Sequence, residues 1–62
     1  MTKPPLSYRA FNMKTQQWVD ALADSPQAAL ALLAPLAARN ADTPLTLANL
    51  QVMENGTWVW VI

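Results

Sequence analysis

Neither cysteine nor histidine occurs in this chain, and that absence constrains the fold more than any motif does. Small proteins that cannot build a large core usually close themselves with disulfides, a structural metal or a partner chain. Without cysteine there is no disulfide, and without cysteine or histidine there is no ordinary zinc site. At 62 residues the sequence makes one small domain, residues 1–62, and a core of that size is marginal. Ordering costs about 1.5 kcal/mol per residue, which demands nearly all the apolar burial that such a chain can supply. A partner chain, most simply a second copy, is the remaining device.

Composition narrows the class further. Four basic residues balance four acidic ones, and only 13% of the chain is charged. No strong field is therefore available to attract nucleic acid or an anionic membrane. Disorder requires low hydrophobicity with high net charge, and a 53% hydrophobic chain of zero net charge meets neither condition. The longest apolar run, residues 28–38, is interrupted by Pro35. It is far short of the roughly 20 residues that span a bilayer, so it reads as a core or interface segment. Lys3 is followed by Pro4 and Pro5 instead of an apolar stretch, which gives no secretory signal and a cytoplasmic expectation.

Residues 1–5, with two prolines, read as a flexible N-terminal arm. Residues 6–11 (LSYRAF) alternate imperfectly and suggest a short strand or extended segment, whose joining of the sheet the sequence leaves open. Asn12 then stands where an N-cap would, and residues 13–24 carry Trp18, Val19, Ala21 and Leu22 within one face at 100° per residue. That stripe predicts a first helix. Ser25-Pro26 is a restart signal, a capping hydroxyl followed by proline at the first helical position. A second helix is predicted from Pro26 to about Asn40, with Leu30, Leu32, Leu33 and Leu36 on one side and Ala31, Ala34, Pro35 and Ala38 on the other. Pro35 should kink or split it, and Leu30, Leu33 and Leu36 should form the core with Trp18 and Leu22. The small residues opposite would admit a second helix, most simply from a second copy.

After a loop at residues 41–44 the period changes. Asn55-Gly56 is the strongest turn signal in the chain, since both central positions of a type I′ turn need positive φ. Thr57 to Ile62 (TWVWVI) is rich in strand formers, so residues 47–62 are predicted to form a hairpin. The expected fold is α+β: two consecutive helices followed by a C-terminal β-hairpin, with or without a short N-terminal strand joining the sheet. In the last strand Trp58, Trp60 and Ile62 point one way and Val59 and Val61 the other, so both faces are apolar. A strand at the surface of a two-layer domain would carry a polar outer face. It also lacks the lysine, proline or bulge that guards an edge. These five residues are the candidate partner-binding set.

The equipment for chemistry is thin. Asp20 and Asp24 could pair across one helical turn, but on the polar side they read as a solvated face. A single glycine cannot build a phosphate-binding loop or a nucleophile elbow. Asn55-Gly56-Thr57 matches a glycosylation sequon, and the turn accounts for it. No catalytic, metal or cofactor residue is assigned, and the chain is expected not to be an enzyme. The expected function is a small protein–protein interaction module that self-associates as a homodimer or binds a larger protein. The alternative is a small DNA-binding regulator, ribbon-helix-helix or winged-helix-like, in which Lys3, Arg9 and Lys14 contact phosphate. Against it, the second helix carries no basic residue before Arg39.

Overall fold

The computed structural model describes residues 4–37 and 44–62. Four antiparallel strands form one sheet, and a single helix packs on one side of it. The strands are β1 (Leu6–Asn12), β2 (Gln17–Ala23), β3 (Leu50–Glu54) and β4 (Thr57–Trp60), and the helix α1 is Pro26–Leu33. The order across the sheet is β2-β1-β3-β4, so β1 and β3 are central while β2 and β4 are the edges. The β2–α1–β3 connection carries the chain over β1, and α1 rests on β2 and β1.

The expectation of two consecutive helices is therefore wrong. Residues 17–23 form β2, paired with β1 along its whole length from Leu6↔Ala23 to Asn12↔Gln17. Asn12 does act as a cap, but of a turn. Its Oδ1 accepts from the Lys14 and Thr15 backbone N–H groups at 2.9 and 3.1 Å. Gln16 takes a positive φ of 59°, and its N–H returns to the Asn12 carbonyl at 2.7 Å. A short polar side chain bonding to its own following backbone serves a hairpin loop as well as a helix start. The loop 13–16 therefore reverses the chain, and the segment beyond it lies in the sheet.

The Ser25-Pro26 start is present as read from the sequence. The Ser25 hydroxyl accepts from the Ala28 N–H at 3.2 Å, with Pro26 at the first turn. The helix stops at Leu33, two residues before Pro35. Ala34 to Leu36 make a turn, and the Leu36 and Ala37 N–H groups both reach the Leu33 carbonyl. Ala34 keeps a right-handed helical backbone and its N–H still reaches the Leu30 carbonyl. Pro35, however, supplies no N–H for the next bond and its ring crowds the preceding turn, so here it ends a helix of eight residues instead of kinking a longer one. The extension of this helix through Ala38 to Asn40, and Arg39 with it, lies outside the described residues, as do Lys3 and the start of the N-terminal arm.

The core lies between α1 and the sheet. Tyr8 and Ala10 of β1, Ala23 of β2, Ala29, Leu33 and Ala37 along and after the helix, and Leu50 of β3 are buried. Alanines at 29, one turn before Leu33, and at 37, four residues after it, let this segment approach the sheet closely. The predicted core is corrected accordingly. Leu33 is buried and Leu30 half-buried, but Leu36 is exposed, and Trp18 and Leu22 stand exposed on the other side of the sheet.

The C-terminal hairpin has the predicted turn. Asn55 and Gly56 take φ of 51° and 80°, and Glu54 pairs with Thr57 across them. Residues 47–49 precede the hairpin as a single 3-10 turn, in which Asn49 Oδ1 accepts from the Thr46 N–H and hydroxyl. A Cβ on Gly56 would meet nothing within 4 Å, so Gly56→Ala isolates the backbone cost of positive φ, about 1–2 kcal/mol. Urea unfolding should show a loss of that size, and an unchanged midpoint would refute the assignment of strain to this turn.

Candidate functional site: the open face of the sheet

Alternation sends the even-numbered residues of β1 toward the helix and the odd-numbered ones to the opposite face. The register carries this rule across the sheet. One row on the uncovered face runs Asp20, Arg9, Gln51, Trp60, from β2 to β4. On one side of it Trp18 pairs with Phe11 and on the other Leu22 pairs with Ser7, while Met53 pairs with Trp58. No element among the described residues covers this face. It brings three tryptophans, a phenylalanine, a methionine and a leucine together around one arginine.

Arg9 organises the cluster. Its guanidinium carbon lies 4.0 Å from the Trp18 ring centroid and 4.4 Å from that of Trp58, so the group is held by rings from both edge strands. Its Nε–H donates to Gln51 Oε1 at 2.7 Å, and Gln51 is itself buried beneath these side chains. Trp18 also takes the ring of Phe11 edge-on, with centroids 5.3 Å apart and planes at 68°. Cation–π contacts contribute about 0.5–1 kcal/mol at exposed sites and more when water is excluded. Aromatic pairs of this geometry add about as much. The rings are thus held by contacts within the chain, and among the described residues the terminal Nη groups of Arg9 donate to no acceptor.

The five candidate contact residues divide between two environments. Trp58 and Trp60 lie on the open face, and alternation continues to Ile62, which is exposed. Val59 and Val61 turn to the helix side, where Val61 packs against the core and its N–H donates to the Leu50 carbonyl at 3.1 Å. They do not share a surface with the tryptophans. Phe11, Trp18, Leu22 and Met53 complete the open face and were missed by sequence reasoning. For Trp18 and Leu22 no local signal separated strand from helix, because residues 17–23 are apolar on both faces and also satisfy a helical stripe. Of the basic trio, Arg9 is central on the open face, Lys14 sits in the β1–β2 turn, and Lys3 lies outside the described residues. A ribbon-helix-helix or winged-helix frame needs helices that the described residues do not form. Asp20 is on the open face beside Arg9 and Asp24 lies in the bend before Ser25, so the two carboxylates do not face one another across a helix.

Among the described residues no three acidic side chains gather to hold a metal ion, and no helix is long and apolar enough to cross a membrane. The fold and site define a β-rich α+β protein, a four-stranded antiparallel sheet with one covered and one open face. Compared with protein-family models, with curated proteins and with solved structures, the chain matches none.

Proposed function

We propose that this protein is a non-enzymatic protein–protein interaction module that binds through the open face of its sheet. The observation that carries the reading is the aromatic cluster held around Arg9. Fully buried interface centres are enriched in tryptophan, phenylalanine, methionine and arginine and depleted in lysine and glutamate. Apart from Asp20 and Ser7, the open face has that composition, with no lysine or glutamate in its rows. Tryptophan and arginine are also the residue types that most often dominate binding energy. Side chains already fixed by stacking lose less rotamer freedom on association. A stacking platform for single-stranded nucleic acid would share the aromatics but needs cations along a backbone track. Arg9 is the one cation in these rows, and Asp20 stands next to it, so phosphate contacts on this face are too few for useful affinity at physiological salt.

The test is photo-crosslinking from the face itself. A benzophenone amino acid placed at Trp60 in the full chain should give protein adducts, and the same probe at Leu32, exposed on the outer side of α1, should not. Adducts to nucleic acid alone from position 60, or equal protein adducts from both positions, would overturn the proposal.

A further inference from the structure

Resting on that reading, we infer that the partner on the open face is a second copy of this chain, packed face to face about a two-fold axis. Area is the first argument. Trp18, Leu22, Trp60 and Ile62 keep 40%, 62%, 58% and 78% of their surface open to solvent. Those four leave roughly 500 Å² uncovered, so two apposed faces bury about 1,000 Å² through them alone, the lower bound for a specific interface. Sheets stacked in this way sit about 10 Å apart with interdigitating side chains, and the open face is a continuous layer of such side chains. The second apolar layer supplies what the first cannot, because Leu33 and Leu50 are the largest side chains that the described core buries fully.

Charge is the second argument. Arg9 and Asp20 are cross-strand neighbours on this face, yet among the described residues neither belongs to an ion pair, and Arg9 spends its Nε–H on Gln51. A face that carries one cation whose terminal donors meet no acceptor among the described residues, and one exposed carboxylate, is complementary to itself. In an isologous contact, residue i of one copy meets residue j of the other and the reverse holds as well. Arg9 of each protomer therefore pairs with Asp20 of the other, and both charges are satisfied as water leaves. With zero net charge on the whole chain, no long-range repulsion opposes the encounter of two copies.

Light scattering on the full chain across a concentration series provides the test. The wild type should reach twice the monomer mass of 6.8 kDa. Asp20→Arg and Trp60→Ser, both at exposed positions, should return it to the monomer while circular dichroism keeps the strand signal. A wild type that stays monomeric at every concentration overturns the second-copy inference. Crosslinks from position 60 to a different protein would then leave the interaction module standing, whereas their absence removes both. A dimer insensitive to Asp20→Arg and Trp60→Ser places the contact on another surface, such as the free edge of β4, and equally overturns the inference.

Discussion

Leu50→Ala should abolish the cooperative unfolding transition at 25 °C. Leu50 is wholly buried at the start of β3, opposite Ala10 of β1, and it is one of two large side chains that the described core buries completely. Most of its buried neighbours are alanines, which have no spare volume with which to fill the space it leaves. Removing a buried leucine side chain costs about 2–5 kcal/mol, with the upper end reached where the site cannot collapse. A 62-residue domain has about 3–9 kcal/mol of stability in total, so a loss at the upper end takes from about half to all of it. Urea titration followed by near-ultraviolet circular dichroism checks this, with Leu50→Met as the volume-conserving control at under about 1.5 kcal/mol. A sharp transition displaced by less than about 1 kcal/mol in Leu50→Ala would mean that stability resides outside this core.

The second large effect is expected at Asn12. This side chain is 7% exposed and makes three hydrogen bonds, two within its own turn and one to a distant part of the chain. Its Oδ1 holds the Lys14 and Thr15 N–H groups of the β1–β2 turn, and its Nδ2 donates to the Leu36 carbonyl beyond α1 at 3.0 Å. Asn12→Ala leaves two donors and one acceptor without partners. Two of the three lie in a turn that water can reach, so the expected loss is about 2–3 kcal/mol. Asn12→Asp separates the contributions. It keeps both turn bonds but aims a carboxylate at a carbonyl oxygen, so it should destabilise at least as much as alanine. Amide exchange at Lys14 and Thr15 should accelerate in the alanine variant and remain slow in the aspartate variant under conditions where both are folded. If Asn12→Asp proves nearly neutral, the Leu36 contact contributes little and the turn alone depends on Asn12.

The contrast between residues 13–24 and 55–56 shows where sequence reasoning succeeded and where it failed. Asn55-Gly56 could be read directly because the requirement is local: two successive positive φ angles are accessible to few residue pairs. Ser25-Pro26 was legible for a similar reason, since a capping hydroxyl and a fixed φ act within one turn of backbone. Residues 17–23 were not. Trp18, Val19, Ala21 and Leu22 lie at offsets that satisfy a helical stripe, and they equally satisfy a strand whose two faces are both apolar. Choosing between them required knowing that β1 would lie alongside, in a pairing that covers all seven residues. The same ambiguity hid the site. Trp18 and Leu22 were assigned to the core because apolar residues are expected inside, and only the register shows them on the open face with Trp60.

By itself, the sequence determined the features that depend on a few neighbouring residues or on composition. These were the tight turn at Asn55-Gly56, the helix start at Ser25, the strand character of the last residues, and the absence of cysteine and histidine. The tertiary structure decided which face each apolar residue occupies. It divided Trp58 and Trp60 from Val59 and Val61, replaced a helix by β2, and set Arg9 between rings from two edge strands. The physical reason is that strand pairing is non-local. A strand exists through hydrogen bonds to residues distant in the chain, and its inner face is defined by where the helix comes to rest.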